Sequence, residues 1–160
     1  MSKAIYHAIS SAKRHGGDAE DYLAIHEHMD QSKGAIPDNR HRILTHQSWY
    51  IKNVLQKVFG DYFVVPTTDE GRTSLADIAY HENCIVNIKK RMRDEGQGRV
   101  VSVAQIGEDH ILEDFNMKFI PTVQDYIEDG EMQLTNWMNN AKGGDKPSSA
   151  KGLRSPRLND

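Results

Sequence analysis

Residues 18–33 have the sequence DAEDYLAIHEHMDQSK, whose apolar side chains recur at the spacing of a helix with one buried face. Asp18 is placed to cap the start of this helix, and Glu20 and Asp21 suit its first turn, where the helix dipole favours negative charge. The apolar positions are Tyr22, Leu23, Ile25 and Met29. The stretch therefore predicts an amphipathic helix that ends near Lys33 and packs into a helical domain.

Further helices are predicted on both sides of this stretch. The first runs from Lys3 to about His15 and ends at the pair Gly16-Gly17. Asp38 is placed to cap a long helix over residues 39–59. Additional helical segments are predicted over residues 74–94, 108–115 and 122–137.

Two short segments rich in β-branched and aromatic residues interrupt the helices. They cover residues 62–65 and 100–106, and we expect them to pair as a small ribbon. The predicted fold class is therefore mainly α, a compact domain of about five helices with a two-stranded β element (α+β). We expect one globular domain over residues 1–141. Residues 142–160 have almost no apolar side chains, which predicts a disordered basic tail.

The composition argues against several classes of protein. No apolar run approaches the roughly 20 residues that span a bilayer. The first residues lack the apolar region of a secretory signal, so we expect a cytoplasmic protein. The net charge of -3 argues against a large nucleic-acid surface. Because Cys84 is the single cysteine, any metal ion would be bound by His, Asp or Glu.

Two histidine–aspartate pairs have the spacing of helical neighbours. His26 and Asp30 lie four residues apart, as do His110 and Asp114, so each pair projects from one face of a helix. Imidazole and carboxylate groups can bind a metal ion together or act as acid and base. We predict all four as ligands of a divalent metal ion, and His46, His110 and Asp114 as catalytic residues. The alternatives are a local surface pair at His26 and a buried, hydrogen-bonded imidazole at His110.

Basic residues surround the predicted start of the third helix. Arg40 and Arg42, together with Lys33, are predicted to bind a phosphate, because guanidinium donors and a helix N-terminus both favour anions. Exposed charges without such a role are the alternative. His41 and His46 are separated by about 140° around a regular helix, which predicts separate roles for them.

Several short motifs resemble those of a known family. They are Arg40-His41-Arg42 followed by Thr45-His46, and Ile106-Gly107-Glu108 followed by His110 and Glu113-Asp114. With further matches over most of residues 6–140, the chain resembles a family of small phage and bacterial proteins of unknown function. The resemblance implies a phage or mobile-element origin and brings no established activity, cofactor or partner.

Two functions compete at this point. The first is a metal-dependent phosphoester hydrolase, in which the basic residues hold a phosphorylated, nucleotide-like small molecule. The second is a non-enzymatic phage protein that binds a host or phage protein, with the same histidines and aspartates forming a buried polar network. Nucleic-acid binding through residues 89–93 has only local charge in its favour. Ring nitrogens of His26, His46 and His110 that converge on one open cleft would favour the first function, whereas scattered or sealed rings would favour the second.

Overall fold

A computed structural model describes residues 3–78 and 93–130 of the chain. This part is mainly helical with one two-stranded antiparallel sheet, which confirms the predicted fold class. The predicted tail, residues 142–160, lies outside the described residues, as does most of the helix predicted over 74–94. Within the described part, no helix combines the length and the apolar character needed to cross a membrane.

The first two helices form a hairpin. Helix α1 (Ala4–His15) packs against helix α2 (Glu20–Asp30), and Gly16 and Gly17 connect them with φ angles of 88° and 74°. A side chain at Gly17 would collide with Val65 of the neighbouring strand, so this turn requires glycine. The prediction for Asp18 is wrong in detail, because its carboxylate does not cap α2. Its backbone N–H instead donates to the Asp21 carboxylate at 2.8 Å.

The long helix predicted over residues 39–59 is interrupted in the structure. Asp38 caps its start as predicted, since its carboxylate accepts the Arg40 N–H at 2.9 Å. The chain then turns sharply at His46 and Gln47. The segments are a 3₁₀ turn (Asn39–His41), α3 (Arg42–Thr45), α4 (Ser48–Tyr50), a π-helical turn (Ile51–Leu55) and α5 (Gln56–Phe59).

Side-chain hydrogen bonds stabilise this interruption. The Gln47 side chain accepts the Tyr50 N–H at 2.8 Å and so caps α4. The Tyr126 hydroxyl donates to the His46 carbonyl at 2.9 Å, which satisfies a buried carbonyl where the helix ends. The prediction of one continuous helix is wrong, and one of the groups that stabilise the break, Tyr126, lies 80 positions away in the sequence.

The sheet joins β1 (Tyr62–Pro66) to β2 (Gly98–Ser102), with Val64 opposite Val100. The second predicted strand extends too far, because residues 103–106 are helical. Ser102 caps the helix that follows β2, α7 (Val103–Asp114), by accepting the Gln105 N–H at 3.3 Å. Helix α6 (Asp69–Ile78) precedes β2 and begins earlier than predicted. Helix α8 (Val123–Gly130) follows α7.

Helix α7 (Val103–Asp114) is the central element and is buried around most of its circumference. It packs against α1, α2 and the π-helical turn. Gly107 allows the closest approach, because a Cβ there would lie 2.6 Å from Leu55 Cδ2 and 3.3 Å from Ile51 Cγ1. Polar side chains on α7 therefore point into the interior of the domain rather than into solvent.

Candidate metal centre

Four side chains from three segments meet in the interior. Asp30 is the last residue of α2, His46 follows α3, and His110 and Asp114 lie on α7. We call these four residues the central cluster. One nitrogen or oxygen atom of each lies within 4.8 Å of the corresponding atoms of the others. The side chains of His46 and His110 are 0% exposed, that of Asp114 is 6% and that of Asp30 is 9% exposed.

The distances in the central cluster match those between the ligands of one metal ion. His46 Nε2 lies 2.9 Å from Asp114 Oδ2 and 3.9 Å from Asp30 Oδ1. His110 Nε2 lies 3.3 Å from Asp30 Oδ1 and 3.8 Å from Asp114 Oδ2. Ligands of a tetrahedral Zn²⁺ ion are separated by about 3.3–3.6 Å, given the usual bond lengths. Small movements of the side chains would therefore complete such a site.

Two of these buried atoms have no hydrogen-bond partner among the described residues. They are Asp30 Oδ1 and His110 Nε2, and both are directed into the central cluster. A buried polar atom without a partner costs about 1–3 kcal/mol. A cation bound between the two atoms would remove that cost.

The second nitrogen of each imidazole in the central cluster is held from outside. His110 Nδ1 lies 2.8 Å from His26 Nδ1, and His46 Nδ1 lies 2.8 Å from the Thr45 hydroxyl. When these Nδ1 atoms carry the proton and donate it, both Nε2 lone pairs face the centre. Metal-binding histidines in proteins are oriented in this way by the hydrogen bond of their other nitrogen.

Each of these hydrogen bonds continues into a longer chain. His26 Nε2 lies 2.8 Å from the Ser11 hydroxyl. The Thr45 hydroxyl lies 3.0 Å from that of Ser32, which is 2.9 Å from His41 Nδ1. Burial lowers the pKa of His26 to about 2 and that of His41 to about 4. Each chain therefore contains a neutral imidazole at physiological pH.

The second oxygen of each carboxylate in the central cluster is also held. Lys33 Nζ lies 2.7 Å from Asp30 Oδ2, and His7 Nε2 lies 3.4 Å from Asp114 Oδ1. His7 Nδ1 donates to Glu113 at 2.6 Å. Burial opposes the charged form of His7, but the hydrogen bonds to Asp114 and Glu113 outweigh it and raise its pKa to about 9. His7 is therefore an imidazolium at neutral pH.

The imidazoles of the central cluster are neutral and its carboxylates are ionised at neutral pH. Burial lowers the pKa of His110 to about 4, although the nearby Asp30 carboxylate opposes this, and burial also lowers the pKa of His46. For Asp114, burial raises the pKa, but hydrogen bonds from His46 and His7 outweigh it and hold it well below its usual range. Neutral imidazoles and ionised carboxylates are the forms that bind metal ions.

Comparison with known proteins places the chain in a family. Residues 2–87 and 78–138 match the domain of unknown function DUF6915. The chain belongs to this family. The two matched ranges include every residue of the central cluster. No curated protein and no solved structure matches the chain. The DUF6915 description assigns no activity, so the chemistry of the site has to be derived from its geometry.

The structure brings most of the predicted ligands together. Asp30, His110 and Asp114 belong to the central cluster, where His46, predicted as catalytic, joins them. His26 lies behind His110 and contacts its outer nitrogen. His110 and Asp114 are neighbours as predicted, with 3.8 Å between Nε2 and Oδ2, and the fold supplies the convergence that the sequence alone leaves open.

The three predicted phosphate-binding residues occupy different places. Lys33 contacts Asp30, and Arg42 is buried with its Nε 3.7 Å from Asp114 Oδ2 and its guanidinium 4.9 Å from the centre of the Phe115 ring. Arg40 is exposed and pairs with Asp38. Lys33 and Arg42 thus adjoin the carboxylates of the central cluster, whereas Arg40 lies on the surface.

Sequence reasoning overlooked His7 and Glu113. Their hydrogen bond joins residues separated by 106 positions, so no local spacing connects them. The available signal was the position of His7 beside Ala8 on the apolar face of α1, since a histidine there requires a buried partner.

Proposed function

We propose that this DUF6915 protein binds one divalent transition-metal ion in the central cluster. Imidazole and carboxylate donors together suit Zn²⁺ and its first-row neighbours. The main support is the pair of buried, unpartnered atoms, Asp30 Oδ1 and His110 Nε2, that face each other at 3.3 Å. The ion would connect α2, α7 and the turn after α3.

The low exposure of the four ligands favours a structural role for the ion. Structural zinc sites use four protein ligands, whereas catalytic sites leave one position to water or substrate. A site that forms only in the folded chain adds the free energy of metal binding to the stability of the fold.

Equilibrium dialysis against Zn²⁺ followed by elemental analysis tests this proposal. We expect one zinc ion per chain for the wild type and a large loss of bound zinc for His110→Gln and for Asp30→Asn. His28→Gln is the matched control, because His28 lies on α2 but contacts Tyr50 instead of the central cluster. Binding that is absent in the wild type, or unchanged in both ligand variants, would refute the proposal.

A second candidate function is hydrolysis of a phosphoester by the bound metal ion. It is favoured by the edge of the central cluster at Asp30, where the neighbouring Lys33 side chain is 25% exposed. If Asp30 left one position open, His46, His110 and Asp114 would hold the ion, whose chemistry would be to activate a water nucleophile near neutral pH. The Lys33 ammonium group would then contact the substrate phosphate.

Turnover of bis(p-nitrophenyl) phosphate and of nucleoside phosphates tests the second candidate. Hydrolysis by the zinc- or manganese-loaded protein, lost in His110→Gln, would support it. A fully loaded protein without turnover of any of these substrates would count against it.

The non-enzymatic alternative is a protein that binds a host or phage protein in the cytoplasm and uses the central cluster as a metal-free polar network. Exposed apolar side chains favour it, since Tyr6 is 61% exposed and Trp49 and Ile127 are each 55% exposed. This alternative predicts that His46→Ala lowers the melting temperature equally with and without added metal. A wild-type melting temperature that rises with zinc would argue against it.

A further inference from the structure

The carboxylates of the central cluster are held so that each offers one oxygen to the centre. Asp30 directs Oδ1 inward, while its Oδ2 contacts Lys33 Nζ at 2.7 Å. Asp114 directs Oδ2 inward, while its Oδ1 lies 3.4 Å from His7 Nε2. The two outer contacts come from different parts of the chain, but each occupies one oxygen of its carboxylate and leaves the other oxygen for the centre.

The fold positions the two side chains, Lys33 and His7, that make the outer contacts. Lys33 lies in the 3₁₀ turn Gln31–Gly34 directly after α2, which returns its ammonium group to Asp30 three residues earlier. His7 is 2% exposed, and its ring centre lies 4.0 Å from that of His110. Its other nitrogen is fixed by Glu113. Each contact therefore opposes rotation of the outer oxygen toward the centre.

This arrangement limits the coordination number of a bound ion. Two imidazoles and two carboxylates, each using one atom, provide four ligand atoms. Mg²⁺ and Mn²⁺ are typically six-coordinate, and Ca²⁺ takes six to eight oxygen ligands, often from carboxylates that use both oxygens. Zn²⁺ is satisfied by four ligands in a tetrahedron.

We propose that Lys33 and His7 determine the metal specificity of the central cluster by keeping Asp30 and Asp114 monodentate, which favours four-coordinate Zn²⁺ over six-coordinate ions. The inference rests on the proposed metal-binding function and adds the residues that select the ion. It assigns Lys33 a role in positioning Asp30 rather than in binding substrate.

The test compares Zn²⁺ and Mn²⁺ affinities of the full chain, measured by competition with a chelator. In Lys33→Met, Asp30 gains freedom to use both oxygens, so we expect the preference for Zn²⁺ over Mn²⁺ to fall about tenfold, which is the lower end of the affinity changes that follow loss of an outer-shell partner. His7→Gln should change the preference in the same direction through Asp114. Lys33→Arg keeps the positive charge and should keep the wild-type metal preference. Lys57→Met is the matched control, because Lys57 is an exposed lysine of α5.

The absorption of bound Co²⁺ gives an independent measure, because four-coordinate Co²⁺ absorbs visible light much more strongly than six-coordinate Co²⁺. We expect strong bands for the wild type and weaker ones for Lys33→Met. Unchanged metal preference and unchanged Co²⁺ bands in both Lys33→Met and His7→Gln would overturn this inference while leaving the proposed function intact. A wild type that binds neither Zn²⁺ nor Co²⁺ would overturn both.

Discussion

The Thr45 hydroxyl illustrates how single atoms outside the central cluster orient a ligand. It lies 2.8 Å from His46 Nδ1 and 3.0 Å from the Ser32 hydroxyl, with all three side chains buried. A hydroxyl group can donate one hydrogen bond and accept another, so it fits either protonation state of His46 Nδ1. Thr45 can be replaced without removing a metal ligand, so its effect on metal affinity can be measured separately.

Replacing Thr45 by valine should weaken metal binding. The change keeps the shape of the side chain but leaves His46 Nδ1 without its partner, and such losses reduce metal affinity by about 10–100-fold. A chelator competition titration with Zn²⁺ measures this effect. Thr45→Ser retains the hydroxyl and should bind zinc as the wild type does. Equal weakening in both variants would show that packing, rather than the hydrogen bond, is responsible.

Replacing Asp114 by asparagine should strongly destabilise the metal-free fold. His7 and Arg42 both lie near this buried carboxylate, and removing one partner of a buried ion pair costs about 3–5 kcal/mol. Urea unfolding gives the free energy directly. Asp38→Asn is the control, because Asp38 pairs with Arg40 on the surface and asparagine caps helices equally well, so little change in the unfolding free energy is expected. Similar losses in the two variants would contradict this assignment.

At the scale of elements, the packing of α7 against the π-helical turn fixes the position of His110 and Asp114. A methyl group at Gly107 would meet the buried Leu55 and Ile51 side chains. Gly107→Ala should therefore lower the melting temperature, although alanine has the higher helix propensity by about 1 kcal/mol. Gly34→Ala is the control, since no atom lies within 4 Å of a Cβ there. A more stable Gly107→Ala protein would mean that α7 can shift without cost.

The interruption after α3 positions His46, and Tyr126 stabilises it. Tyr126→Phe removes the hydroxyl that donates to the His46 carbonyl and leaves this buried group without that donor. We expect a loss of about 1–3 kcal/mol in unfolding free energy and weaker zinc binding. Calorimetry and zinc titration of the same variant check both effects. Lower stability with unchanged zinc affinity would show that the interruption does not control the site.

Elements with local signals were predictable from the sequence. Glycines after α1 and the cap at Asp38 gave correct boundaries, and the four-residue spacing placed His110 and Asp114 on one face. The start of α7 was missed because valine suits both a strand and a buried helix. The sequence Ser102-Val103-Ala104-Gln105 nevertheless carries a capping signature.

Features that depend on distant residues were not predictable from the sequence. The break at His46 requires Tyr126, which is 80 positions away, and the orientation of Asp114 requires His7 on α1. Helical periodicity contains no information on such pairs. The sequence therefore supplied three of the four residues of the central cluster as metal ligands, but not the groups that hold them.

For the whole molecule, a bound ion would link helices that otherwise meet through the hydrophobic core. Because the ligands lie on α2, after α3 and on α7, an unfolded chain cannot present them together. Zinc at 100 times its dissociation constant should add about 2.7 kcal/mol to the unfolding free energy. Chelation should reverse this gain. Thermal unfolding with and without zinc measures this gain. A melting temperature that neither zinc nor the chelator changes would argue against a metal that binds the folded state.

The most direct test of the metal centre is anomalous diffraction at the zinc absorption edge from crystals grown with Zn²⁺. We predict one strong peak about 2.0–2.2 Å from His46 Nε2, His110 Nε2, Asp30 Oδ1 and Asp114 Oδ2. A central cluster without a peak, or zinc bound only at surface residues, would contradict the account.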